Sequence, residues 1–88
     1  MNVRYFAAAR AAAGMEEEQF DLPSGTTVSD LLQAVLAVER AEPPAGTPAL
    51  PRILSRSSFL LNEVAVRDRS VALEPGDVVD VLPPFAGG

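Results

Sequence analysis

The chain has 88 residues, of which 48% are hydrophobic and 22% charged, with twelve acidic residues against seven basic ones for a net charge of −5. That length admits one domain with a small core, and that balance excludes both a disordered polymer and a natural binder of nucleic acid or anionic membrane, because phosphate recognition needs a basic face. Cys and His are both missing, which removes disulfides, thiolate chemistry, and the commonest general base and metal ligand.

Met1 leads straight into a strand-like segment rather than into a basic stretch followed by an apolar one, so no secretory signal is expected and the location expected is cytoplasmic. Residues 2–6 alternate, with Val3 and Tyr5 on one face and Arg4 and Phe6 on the other. Ala7 to Ala13, broken only by Arg10 and closed by Gly14, reads as a loop or a frayed helical turn. Residues 16–22 alternate again and predict a second strand, paired with the first as a hairpin. Their Glu16-Glu17-Glu18 run reads as a solvated edge that discourages edge-to-edge association.

Pro23-Ser24-Gly25 marks a turn, and Thr27 with Asp30 has the form of a capping box. Val28, Leu31, Leu32, Val35 and Leu36 then form one apolar stripe, which predicts a helix from Val28 to Arg40 that stops before Pro43-Pro44. Residues 41–52 carry four of the eight prolines and read as an extended loop, in which Pro51 opens a short helical turn that carries Ile53 and Leu54 inward. Phe59-Leu60-Leu61 is a strand, Asn62-Glu63 a tight turn and Val64-Ala65-Val66 a short returning strand. Pro75-Gly76 has the type II turn preference, Val78 to Leu82 is the last strand, and Pro83-Pro84 ends ladder pairing. No run reaches the length needed to span a membrane, and no internal repeat is present.

A strand pair, a crossing helix, a loop and three further strands make an α+β chain with the β-grasp, or ubiquitin-like, layout: a mixed sheet with one main helix across one face. In that layout the last strand lies parallel beside the first. The expected organisation is a domain over 1–82 and an extended C-terminal tail over 83–88. Pro83 and Pro84 stiffen the base of the tail. Gly87 and Gly88 leave its tip without side chains, where a Cβ would block close approach. A thin arm of this kind suits insertion into a narrow active site; the plainer reading is a frayed terminus.

The residues Phe6-Ala7-Ala8-Ala9-Arg10 with Gly14, Thr27-Val28 with Leu31-Leu32, Asn62, Leu73-Glu74-Pro75-Gly76-Asp77-Val78-Val79 and Pro83-Pro84-Phe85-Ala86-Gly87-Gly88 together resemble the family of small, sulfur-carrying subunits of molybdopterin synthase. More distantly the chain is similar to the thiamine-pathway sulfur carriers, which are usually shorter and lack the opening Phe-Ala-x-x-Arg block. The departure from the family is the proline-rich 41–52 loop, where members often carry a second helix. The resemblance implies a relay. A partner of the ubiquitin-activating type, an adenylyltransferase, would adenylate the Gly88 carboxylate with ATP. A sulfur donor would then leave a thiocarboxylate, 1-thioglycine, at Gly88. The arm would enter the large catalytic subunit, in a heterotetramer, and give its sulfur to a cyclic pyranopterin monophosphate. The chain itself would be a carrier rather than an enzyme, with no permanently bound cofactor and no metal.

Alternation places Phe6 and Leu82 on the open sheet face. With Pro83, Pro84 and Phe85 they form a candidate docking patch at the root of the tail, against the alternative of scattered surface hydrophobes. Arg10 either pairs with a partner acid or decorates a loop. Three other functions remain open at this point: a carrier for thiamine or another thiolated product, a covalent protein modifier, and a non-covalent β-grasp binding module. The absence of Lys means that a modifier of this sequence has no side-chain amine on which to build isopeptide chains.

Overall fold

The computed structural model describes residues 1–84. Its elements are β1 (Asn2–Tyr5), α1 (Ala7–Ala13), β2 (Glu17–Gln19), α2 (Val28–Ala37), α3 (Leu50–Arg56), β3 (Ser58–Leu61), β4 (Val64–Ala65) and β5 (Val78–Leu82). The sheet order is β2-β1-β5-β3-β4. First and last strands pair in parallel at its centre, and the other three pairings are antiparallel. This is the expected β-grasp sheet.

Alternation decides which face is buried. Val3 and Tyr5 of β1, Phe59 of β3, and Val79 and Val81 of β5 point to one side, where they meet Val28, Leu31, Leu32 and Val35 of α2 and Leu50, Ile53 and Leu54 of α3. Thr27 and Asp30 close a reciprocal capping box on α2: the Asp30 backbone N–H donates to Thr27 Oγ1 at 3.1 Å and the Thr27 N–H to Asp30 Oδ2 at 3.3 Å. Leu36 does not join the core; it is 38% exposed, so the buried stripe is narrower than the periodicity suggests.

Several elements differ from the sequence expectation. The alanine stretch is a helix rather than a loop or frayed turn. Ala has the highest helix propensity, and Ala9, Ala12 and Ala13, at i, i+3 and i+4, are buried against the core. Gly14 at φ 80° caps it in the left-handed region, its N–H donating to Arg10 O at 2.9 Å. The reversal from β1 into α1 is made by Ala7 at φ 50°, a conformation that costs an L-residue about 1 kcal/mol. The first two strands are therefore joined through a helix and not through a tight hairpin. The short helical turn expected at Pro51 is present as α3, which begins one residue before Pro51, runs for two turns and buries Ile53 and Leu54 as expected. The turn before β5 is not type II, because Gly76 does not adopt the positive φ that type II requires. The Asp77 N–H donates to Glu74 O at 3.0 Å, and the Asp77 carboxylate accepts from the Glu74 N–H at 2.8 Å, closing the loop from both sides. Asn62 and Glu63, at φ 48° and 71°, make the expected β3–β4 turn.

The helix α2 ends at Ala37, three residues short of Arg40, because Arg40 is needed elsewhere. Its guanidinium turns back to donate to the Val35 carbonyl at 3.0 Å, the Ala13 carbonyl at 3.3 Å and Glu18 Oε1 at 2.7 Å. It also lies 5.8 Å from the centre of the Tyr5 ring. Tyr5 in turn donates its hydroxyl to Glu18 Oε1 at 2.8 Å. Burial first, and then this bond to a carboxylate, push the Tyr5 phenol pKa up, so the hydroxyl stays a donor. Glu18 is thus not part of a solvated edge: its side chain and that of Arg40 are only 14% and 11% exposed. One guanidinium ties the ends of α1 and α2 to β1 and β2.

Two stability measurements follow. Removing one partner of a largely buried pair leaves the other charge uncompensated, so Arg40→Ala is expected to lower unfolding free energy by about 3 kcal/mol or more, whereas Arg40→Met, Glu18→Leu and Tyr5→Phe combined lower it far less; urea denaturation checks both. The hydrogen bond from the Glu74 backbone, then that from Asn62, hold the Asp77 carboxyl below its usual range. Its unfolded form therefore binds a proton first as pH falls, so its contribution is complete above about pH 4 and is lost as pH drops further toward the folded-state pKa. Asp77→Asn is expected to flatten that acid limb of the Tm–pH curve.

Candidate docking face and tail root

The face of the sheet away from the helices is built by register. The β1–β5 ladder sets Arg4 beside Asp80 and Tyr5 beside Val81, and the β3–β5 ladder sets Leu60 beside Asp80 and Ser58 beside Leu82. Asp80 points away from the core, yet it is only 4% exposed. The reason is Arg4, whose fork closes over it: Nε donates to Oδ1 at 2.6 Å and Nη2 to Oδ2 at 2.8 Å. Such planar, two-point pairing is the strongest geometry available to these groups. It raises the Arg4 pKa, through the hydrogen bond to Asp80 first and its charge second. The same guanidinium lies 6.0 Å from the centre of the Phe6 ring. The charge at the centre of the open face is thus paired, with Leu60 beside it and Val78 and Leu82 at the two ends of β5.

That end is where β5 leaves the sheet. The ladder ends at the Tyr5–Val81 pair, and Phe6 and Leu82 are the residues that follow it on the two segments; Phe6 is 41% exposed and Leu82 half-buried. Pro83 follows half-buried and Pro84 exposed, outside any strand. Four of the predicted site residues, Phe6, Leu82, Pro83 and Pro84, are therefore brought together. Arg10 is one helical turn from Phe6, exposed and paired with exposed Glu16 at 3.4 Å, an interaction of small worth. Phe85, Gly87 and Gly88 lie outside the described residues.

Two features escaped the sequence reading. The Arg4–Asp80 pair needed the parallel register; its only trace in the sequence is a lone acid inside the Val78 to Leu82 run. The second is an open groove of about 340 Å³ on the other side of the tail root, lined by Ala8, Pro48, Arg52, Ile53, Arg56, Pro83 and Pro84. Arg52 and Arg56 share a helix face at i, i+4, a spacing that has meaning only once α3 is known to be a helix. Among the described residues no helix is long and apolar enough to cross a membrane, and no group of three or more acidic, His or Cys side chains gathers as a metal ion would need.

The model of the ThiS family matches residues 3–88 of this chain. Over 89 aligned residues the chain is 36% identical to a molybdopterin synthase sulfur carrier subunit from Chlamydomonas reinhardtii, with 100% of this chain and 98% of that protein covered. Among solved structures it is similar to SAMP1 from Haloferax volcanii, at TM-score 0.77 and 26% identity, with 100% of this chain and 98% of that one covered. It is also similar to a molybdopterin converting factor subunit 1 protein from Pyrococcus furiosus, at TM-score 0.70 and 26% identity, with 96% and 95% covered. A family match that runs from β1 through the terminal glycines, a full-length relative and a shared β-grasp fold agree: the chain belongs to the ThiS family.

Proposed function

We propose that this protein is the sulfur carrier of a molybdopterin synthase and that its Gly88 carboxylate is the carrying group. The observation that carries the reading is the tail root. The central strand β5 runs out of the sheet at Pro83-Pro84 beside exposed Phe6 and half-buried Leu82, in a chain 36% identical to a named carrier subunit of that synthase. The chemistry asks little of the carrier. A carboxylate is a poor electrophile, so an adenylyltransferase of the ubiquitin-activating type joins it to the α-phosphate of ATP, releasing pyrophosphate. A sulfur donor displaces AMP from this mixed anhydride and leaves a thiocarboxylate. The thiocarboxylate then serves as nucleophile toward the cyclic pyranopterin monophosphate held by the large subunit, and two loaded chains supply the two sulfurs of the dithiolene. Catalytic groups belong to the partners, which accords with a carrier that has neither His nor Cys.

The open face is the surface on which the partner seats. Its Arg4–Asp80 pair is satisfied internally, so docking over it leaves no unpaired charge, and the affinity comes from the apolar end. A second reading, a protein modifier, is favoured by the likeness to SAMP1, described as a small archaeal modifier protein. It predicts isopeptide conjugates to other proteins, where the first reading predicts a sulfur-loaded free chain.

Incubation with adenylyltransferase, ATP and a sulfur donor is expected to produce the intact-mass gain of one oxygen-to-sulfur exchange at Gly88. Deletion of Gly88 is expected to abolish it without changing thermal stability, and Gly87→Val to be nearly as damaging, because a β-branched side chain restricts the backbone and adds bulk inside a channel. Sulfur transfer by the Gly88-deleted chain in a reconstituted synthase assay would leave the non-covalent binding module as the better account. Phe6→Asp and Leu82→Asp are each expected to weaken binding to the large subunit by about 2 kcal/mol. Asp is a favourable helix N-cap and Phe6 is the N-cap of α1, so circular dichroism of Phe6→Asp should be unchanged; unaltered affinity in that folded variant would remove the open face as the docking surface.

A further inference from the structure

The groove at the tail root is a positively charged feature that the carrier chemistry does not use. Arg52 and Arg56 stand in it with Ile53, Pro83 and Pro84, and among the described residues neither arginine forms an ion pair, whereas Arg4, Arg10 and Arg40 all do. Like charges at i, i+4 on one helix repel each other, and an anion set between Arg52 and Arg56 would relieve that repulsion. The pair is also placed against the overall charge of −5. The sheet end from which the tail leaves carries Arg52 and Arg56, with Arg10 there already paired with Glu16. Near the Met1 amino group, Asp77 holds the turn before β5 through Asn62 and the Glu74 backbone. The two groove arginines are therefore the free positive charge at the root of the arm among the described residues.

We infer that this groove receives an acidic segment, Asp or Glu side chains, on the rim of the channel that admits the tail; this rests on the carrier reading given above. Reach separates the rim from the reaction. The four residues beyond Pro84 extend at most about 14 Å, so when the arm is inserted its tip meets the reacting groups while its root, with Arg52 and Arg56, meets the mouth of the channel. A phosphate bound at the tip is therefore not the anion the groove faces. Two guanidinium groups, planar and two-pronged, suit carboxylates, and Ile53, Pro83 and Pro84 supply the apolar floor for the stems of acidic side chains. Charges in such a position act mainly by steering the encounter.

The test is the association rate of the full chain with the large subunit of molybdopterin synthase from the same organism, at about 50 and about 500 mM NaCl, between which the screening length falls about threefold. Replacing Arg52→Gln and Arg56→Gln together lowers the net charge by the same amount as Arg67→Glu, which sits past the β4 edge away from the groove. The double variant is expected to associate about tenfold more slowly at low salt and to converge with the unaltered chain at high salt, while Arg67→Glu changes the rate by less than about twofold; unchanged circular dichroism confirms that α3 persists. If the double variant behaves like Arg67→Glu, the groove reads no charge on the partner and the inference fails alone. If it associates faster, the arginines hold this chain's own C-terminal carboxylate, which also overturns the inference. If the unaltered chain does not bind the large subunit, the carrier reading fails and takes this inference with it.

Discussion

The parallel pairing of β1 with β5 is the constraint on which the rest of the molecule depends. It joins the two ends of the sequence at the centre of the sheet, a contact that closes a loop of nearly the whole chain and is correspondingly slow and entropically expensive to form. Its register is also what makes the surface. Shifted by one residue, the ladder would turn Val79 and Val81 outward and drive Asp80 into the core. In the observed register Asp80 meets Arg4 and the apolar pair Phe6 and Leu82 lands at the exit of the last strand. The amino group of Met1 strengthens the arrangement from the opposite end by donating to the Phe20 and Pro75 carbonyls at 2.9 and 2.7 Å.

The charged residues divide into those that hold the fold and those left for partners. Arg40 and Glu18 are largely buried, and through its two Nη groups Arg40 stitches two helices to the β1–β2 edge, although its Nε is left without a partner. Arg4 and Asp80 neutralise each other in the middle of the open face, so neither charge is left without a partner there. Arg52 and Arg56 have neither task. In a chain whose basic residues are all arginine, the difference among these roles comes from neighbours rather than from residue type.

Much of this was legible from spacing. Alternation in residues 2–6 and 78–82 and the stripe in α2 put the core where it is, because half-buried strands and one-sided helices write their burial into period. The Gly-Gly tail and the proline pair were visible because they have no role in a core. What was not legible was decided at long range. Ala7 to Ala13 carries no amphipathic contrast, since alanine is small enough to sit on either side of a helix, and only the packing of Ala9, Ala12 and Ala13 identifies its inner face. Glu18 read as edge solvation because nothing local marks its partner, 22 residues away. The end of α2 moved from Arg40 to Ala37 for the same reason: a side chain that returns to cap its own helix looks, in sequence, like one more residue of it. Arg4 and Asp80 are 76 positions apart, and the groove needs α1, α3 and the tail root together.

The central position of β5 has a mechanical consequence. A strand at the edge of a sheet can be peeled away one hydrogen bond at a time, like a zip opened from its end. β5 is bonded on both sides, to β1 in parallel and to β3 antiparallel, and Pro83-Pro84 follow directly from its end. Force applied through the tail, as when an inserted arm is withdrawn from a tight channel, therefore loads both ladders in shear, so that all their bonds resist at once. The C-terminal segment is thus anchored in the part of the fold that yields last.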